Sequence, residues 1–309
     1  MAEHRDPYPT RLNHRHDPIH RREPVIHAQR AERRVGPLDG HDLARFERDG
    51  FLVMERFFPA REVKAFLEDL EAYGHDPKMQ DRPEVITEAD SSAIRSIFGI
   101  HRLSARFDAL TRDPGLLDLA GQILGSDVYV HQSRLNRKPA FCGRGFDWHS
   151  DFETWHAEDG MPAMRCISIS VSLTENNDLN GPLLLVPGSH RTFYPTVGAT
   201  PNQYWETSLK RQQVGVPDPE DLTAAIERGG IRAARGGPGT VTVFECNTLH
   251  ASADNLSPAP RSNLFFVYNS VENRLVTAFA TPAPRPEWVA APEHVAALGP
   301  RRDQSSAVA

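Results

Sequence analysis

The sequence predicts a mainly β protein with flanking helices, built on a jelly-roll core. Three observations carry this expectation. From residue 126 onward, short runs rich in β-branched and aromatic residues alternate with Pro, Gly and Asn turns. The helical patterns gather in the first third, where they would buttress one sheet. The 309 residues suffice for a sizeable core, and no internal repeat divides them.

Residues 1–36 form a basic arm, with Arg11, Arg15, Arg21, Arg22 and several His and no apolar periodicity. Such an arm either wraps the body, stays mobile or meets nucleic acid; the first two are the expectation. Residues 37–309 read as a single domain. Asp39–Asp49 is a short helix with Leu43 and Phe46 on one face and Gly50 as its stop. Phe51–Met54 is a strand. Pro59 opens a second helix with Val63, Phe66, Leu67 and Leu70 as its apolar stripe. Pro114 opens a third, ended by Gly125.

Val128–Val130 begins the β series. Ile167–Leu173 alternates strictly, which predicts one apolar face and one face of hydroxyls able to line a site. Asn180-Gly181-Pro182 turns into the Leu183–Val186 strand, which ends at Pro187-Gly188. Residues 218–228 read as an inserted helix capped by Asp218. A Gly-rich turn feeds Thr240–Phe244, and Asn263–Tyr268 is the last clear strand.

The net charge of -6 gives no global drive toward nucleic acid or anionic membrane. No run of about 18 apolar residues exists, and the polar N-terminus does not read as a secretory signal. Cys142, Cys166 and Cys246 cannot all pair; reduced thiols in a cytoplasmic protein are the simplest account.

Phe146 to His156 holds the densest chemistry, with imidazoles, carboxylates and indoles side by side. In an extended chain His149-x-Asp151 puts two metal ligands on the same side. His250 is the candidate third. Two His and one carboxylate make the facial triad of non-haem Fe(II) oxygenases, which leaves positions open for a co-substrate and O2. The competing account is a polar surface loop with aromatic plugs. Arg261 offers a fork of donors for a carboxylate, and Lys138 a second cation; both are also residue types that mostly lie on surfaces.

His149, Asp151, His250 and Arg261, in this order, resemble the Fe(II)/2-oxoglutarate dioxygenases of the phytanoyl-CoA dioxygenase superfamily. The longer run Phe146-x-Trp148-His149-Ser150-Asp151-Phe152-Glu153-Thr154-Trp155-His156-x-Glu158-Asp159-Gly160-Met161-Pro162-x-Met164-Arg165 closely resembles the diagnostic stretch of ectoine hydroxylases. So do Val130–Asn136, Pro187–His190, Asn247-Thr248-x-His250 and Pro260–Asn263. The likeness runs through nearly the whole chain from about residue 35.

The resemblance implies a double-stranded β-helix (cupin-like) core, with Fe(II) held by His149, Asp151 and His250. It implies 2-oxoglutarate engaged by Lys138 and Arg261, and ectoine held by Gln132, Trp155 and Arg285 in a pocket lined by Phe146, Thr154 and Ser170. It also implies hydroxylation of ectoine to 5-hydroxyectoine, with release of succinate and CO2, by a cytoplasmic homodimer. The presence of Asp151 favours hydroxylation over halogenation, which needs that ligand absent. Two alternatives stay open: a hydroxylase of another small cyclic amino acid such as proline, and a non-enzymatic metal- or ligand-binding jelly roll.

Overall fold

The computed structural model describes residues 6–28, 36–75, 77–281, 283–290 and 295–300. The expectations for residues 1–5 and 29–35 of the arm lie outside them. The strands, in chain order, are β1 (Ile19–His20), β2 (Phe51–Met54), β3 (Val85–Thr87), β4 (Ile94–Phe98), β5 (Val128–Lys138), β6 (Phe146–His149) and β7 (Cys166–Ser172), followed by β8 (Leu183–Leu185), β9 (Thr192–Phe193), β10 (Arg232–Ala234), β11 (Val241–Glu245), β12 (His250–Ser252) and β13 (Arg261–Ser270). Seven of them form one sheet in the order β2-β11-β7-β13-β5-β4-β3, and four a second sheet in the order β10-β8-β12-β6. Leu183, Leu185, Phe244 and Phe265, drawn from both sheets, pack together. This is the two-sheet jelly roll the strand pattern predicted.

The helices cover the large sheet because their stripes and its outer face share one core. Leu43, Phe46, Val63, Phe66, Leu70, Leu116 and Leu119 meet Ile167, Ile169, Val171, Val243, Leu264 and Phe266 there. Helix ends follow local chemistry. Asp39, Asp113 and Asp218 accept from the amides of Asp42, Leu116 and Glu220 and start Gly40–Asp49, Pro114–Leu124 and Pro219–Gly229. Gly50 and Gly125 end the first two in the left-handed conformation, at φ 84° and 64°.

The first third also contains β3 and β4, which extend the large sheet beyond β5. They are short and lie among charged residues, so their alternation is weak. β5 runs eight residues past Val130, to Lys138. Its continuation, His131-Gln132-Ser133-Arg134, carries little apolar signal because it is stabilised by a ladder to β13 from Val128↔Ser270 to Lys138↔Arg261. Strand β7 alternates as read. Its isoleucines and Val171 enter the helix-side core, while Ser168 and Ser170 bond Asp151 and Asn263 inside.

Residues 6–28 lie against the body. Tyr8 is fully buried against Phe152 and Phe193. Ile19 and His20 pair with Phe193 and Thr192. Arg21, itself buried, reaches Glu245 at 2.7 Å. Among the described residues no helix is long and apolar enough to cross a membrane.

Candidate active site

The centre of the small sheet brings two distant histidines together. β6 and β12 pair antiparallel with His149 opposite His250, and the ring centroids lie 4.2 Å apart. A direct cross-strand pair shares one face of its sheet, so both imidazoles point the same way. The expected placement of Asp151 on the same strand needs one correction: β6 stops at His149, and Asp151 is the first residue of the short helix Asp151–Thr154. Ser150, between them, is extended at φ -109° and ψ 139°, and its hydroxyl accepts from the Glu153 amide. That extended cap preserves the period-two relation, so Asp151 returns to the side of His149. Its Oδ1 stands 3.8 Å from Nε2 of His149 and 3.8 Å from Nε2 of His250. The three residues offer ligand atoms all within 4.8 Å of one another.

The ring orientations are set from behind. Nδ1 of His149 donates to the Asp147 carbonyl at 2.7 Å, and Nδ1 of His250 to the Thr248 carbonyl at 2.9 Å. A carbonyl can only accept, so each Nδ1 carries the proton and each Nε2 presents its lone pair inward. Burial, helped by the neighbouring His149, pushes His250 down to about 4, so it is neutral at pH 7. Burial opposes ionisation of Asp151, but His250, His149, Arg134 and the Ser168 hydroxyl outweigh it and hold the carboxyl below its ordinary range. Two imidazoles and one carboxylate, converging and buried, fit a divalent iron.

Cavities open on both sides of this triad. The inner one is lined by Arg134, Asn136, Leu183, Arg261 and Phe265 together with both histidines. Arg261 is fully buried there. One Nη donates to Asn136 Oδ1 at 2.7 Å, and Nε has no partner among the described residues. Burial, with Arg134 and Arg95 nearby, pushes it down to about 9. Lys138 stands opposite Arg261 in the ladder, but its ammonium donates to the carbonyls of Arg144 and Ala253 at 2.6 and 2.8 Å. Burial, Arg261 and Arg95 push it down to about 6.

The outer cavity is lined by five of the six predicted pocket residues: Gln132, Phe146, Thr154, Trp155 and Arg285. Gln132 donates to the Val289 carbonyl at 2.6 Å. Arg285 is clamped by Asp159 through Nε and one Nη, at 2.7 and 2.6 Å. Phe146 borders both cavities and lies under the Arg95 guanidinium, 3.8 Å from its centroid. Ser170, the sixth, is on β7 with its hydroxyl toward Asn263 and lines neither cavity.

The model of the phytanoyl-CoA dioxygenase family matches residues 46–263. An ectoine dioxygenase of Bordetella bronchiseptica is 49% identical over 295 residues, covering 96% of this chain and 95% of that one. The ectoine dioxygenase of Halomonas elongata is 49% identical over 287 residues, covering 92% and 86%. This chain belongs to the ectoine dioxygenases of the phytanoyl-CoA dioxygenase family. Among solved structures, EctD from S. alaskensis with 2-oxoglutarate and 5-hydroxyectoine superposes with a TM-score of 0.87 at 43% identity, covering 96% of this chain and 99% of that one. The same enzyme with bound Fe gives 0.84 at 42% identity and the same coverage.

Within this ectoine dioxygenase the sequence reading gave no role to several site residues. Arg134 is half-buried, borders both cavities and leaves Nε unpaired among the described residues. It sits two residues from Gln132 on β5, so strand parity, had the strand been read to its end, would have turned it inward. Glu158 lines the outer cavity from the π-helical turn Trp155–Asp159. Tyr204, Leu209 and Gln212 cover the cavity from a segment with no regular pattern.

Proposed function

We propose that this ectoine dioxygenase converts ectoine to 5-hydroxyectoine with Fe(II), O2 and 2-oxoglutarate. The carrying observation is the convergence of His149 Nε2, His250 Nε2 and the Asp151 carboxylate between two cavities. His149, Asp151 and His250 would hold the iron. When bound, iron with 2-oxoglutarate and O2 supplies the oxidation, releasing succinate and CO2 and placing one oxygen on a ring carbon.

The chain supplies position and charge. In the inner cavity Arg261 takes the distal carboxylate of 2-oxoglutarate through its unused donors. Lys138 beside it adds positive charge once that carboxylate arrives. In the outer cavity Asp159 fixes two donors of Arg285, which leaves the other Nη for the substrate carboxylate. Trp155 presents an indole to the delocalised ring cation, a contact of ~0.5–2 kcal/mol. Phe146 and the 204–212 segment keep water from the reacting carbon. The Asp151 carboxylate supports hydroxylation rather than halogenation.

Mass spectrometry after incubation with Fe(II), ascorbate, 2-oxoglutarate and ectoine tests the reading: the product gains one oxygen, and proline in place of ectoine leaves 2-oxoglutarate unconsumed. The resemblance further supports a homodimer acting in the cytoplasm, which light scattering and fractionation would test.

A further inference from the structure

Behind the wall of the outer cavity, which Glu158 itself lines, lies a cluster of buried carboxylates. Three consecutive-turn carboxylates, Glu153, Glu158 and Asp159, are all buried. Two guanidiniums face them. Arg11, from the N-terminal segment, pairs with Glu153 through Nε and one Nη at 3.1 and 3.2 Å. Arg285 is committed to Asp159 by two bonds, and His131 Nε2 adds a third contact at 3.1 Å. Glu153 also accepts from Thr10 and Thr196. Glu158 is served differently. Its Oε1 is ion-paired with one Nη of Arg11 at 2.8 Å and has no further hydrogen-bond donor among the described residues. Its Oε2 is 3.9 Å from Arg285. A buried carboxylate left short of donors is costly unless a ligand completes it.

Resting on the functional reading above, we infer that Glu158 is the anionic recognition group for the cationic ring of the substrate and selects an amidinium over a neutral ring. Trp155 and Glu158 share the π-helical turn, and both line the cavity. Inserted single π turns often serve to re-aim side chains at functional sites. Arg285 and Glu158 then read the two ends of one zwitterion. The indole supplies a face to the ring cation, and Glu158 accepts from its N–H groups through charge-assisted bonds. Arg11 is a positioning residue: it holds Glu158 while remaining satisfied by Glu153, so replacing Glu158 does not strip Arg11 of its partner.

The test compares ectoine with the δ-lactam of α-aminoadipate, which keeps ring size and carboxylate but has no cation. Binding is read by thermal shift with Fe(II) and 2-oxoglutarate under anaerobic conditions. Wild-type protein is expected to prefer ectoine about 10- to 100-fold, the loss typical of one charged hydrogen-bond partner. Glu158→Gln is expected to bring that ratio within about threefold, raise KM for ectoine more than it lowers kcat, and leave the 2-oxoglutarate affinity unchanged. Glu158→Asp should restore part of the preference.

Equal binding of the two compounds by wild-type protein overturns the inference, even where the variants do not fold. An unchanged ratio in Glu158→Gln overturns it as well, including when that variant loses thermal stability, since that pattern is a structural ion pair. Product analysis of wild-type protein with ectoine decides the functional reading separately from this ratio.

Discussion

Replacing Arg261 by Met should make the ligand-free protein more stable and the enzyme nearly blind to 2-oxoglutarate. Arg261 is fully buried, its Nε has no partner among the described residues, and its one side-chain bond is to the neutral Asn136. Burial, followed by repulsion from Arg134 and Arg95, brings it from 12.5 down to about 9. At ~1.4 kcal/mol per unit, keeping the charge costs about 5 kcal/mol. Met fills most of the stem volume and removes that cost. Against this stand the lost donor to Asn136, about 1–3 kcal/mol, and imperfect packing. A net gain of roughly 1–4 kcal/mol remains, which moves Tm up by a few degrees. The same substitution removes the partner of a buried carboxylate, a loss of about 3–5 kcal/mol, so KM for 2-oxoglutarate should rise roughly 100- to 4000-fold. Differential scanning fluorimetry of the Fe(II) protein under anaerobic conditions, with and without 2-oxoglutarate, reads both effects. The melting curves should cross: the variant melts higher alone, and the wild type higher with co-substrate. A variant that melts lower alone and still gains the wild-type increment from 2-oxoglutarate would refute the reasoning.

Other consequences follow from the same geometry. His149→Ala or Asp151→Ala should abolish iron-dependent succinate formation, and equilibrium dialysis should show the weakened iron binding directly; turnover at the wild-type rate would sink the ligand assignment. Acid should destabilise the protein through imidazoles that the fold keeps neutral. Burial, with Arg21 close by, brings His27 to about 4 and His190 to about 3, and burial with Arg102 brings His101 to about 4. Because these pKa values lie below the unfolded 6.5, the unfolded chain binds more protons between pH 6.5 and 4, and the stability present above that window is lost through it. Up to three protons at ~1.4 kcal/mol per pH unit each predict a steep fall in urea midpoint from pH 7 to pH 5; a flat profile would contradict it. Gly160→Ala should lower Tm and raise KM for ectoine, because Gly160 sits at φ 77° closing the π turn and its new Cβ would meet the Val276 carbonyl. A silent Gly160→Ala would show that the turn tolerates displacement.

Much of the site was legible where chemistry is dense in the chain. The His149-x-Asp151 spacing survives a change from strand to helix because only the extended Ser150 lies between them. Helix starts at Asp39, Pro114 and Asp218 were readable because first-turn chemistry involves neighbours within a few residues. Strand β5 continues to Lys138 beyond any visible alternation because its inward face is polar. Lys138 is the right residue type for a co-substrate contact, yet its side-chain nitrogen is held by the carbonyls of Arg144 and the distant Ala253. Ser170 sits on the hydroxyl face of β7, but only the depth of the sheet determines which of those serines reaches a cavity. Ser168 bonds Asp151, and Ser170 does not line either space.

What the amino-acid order determined by itself was local: periodicity, caps, turns, and the identity of the groups able to bind metal, carboxylate and cation. Those depend on interactions within a few residues, and they suffice to name the family. The tertiary structure decided which of these groups meet. Pairing of β6 with β12 brings His250 beside His149 across about a hundred residues of chain, and the N-terminal Arg11 ends against Glu153 and Glu158. Long-range pairing follows from burying both sheet faces at once, a property of the whole core that no local stretch encodes.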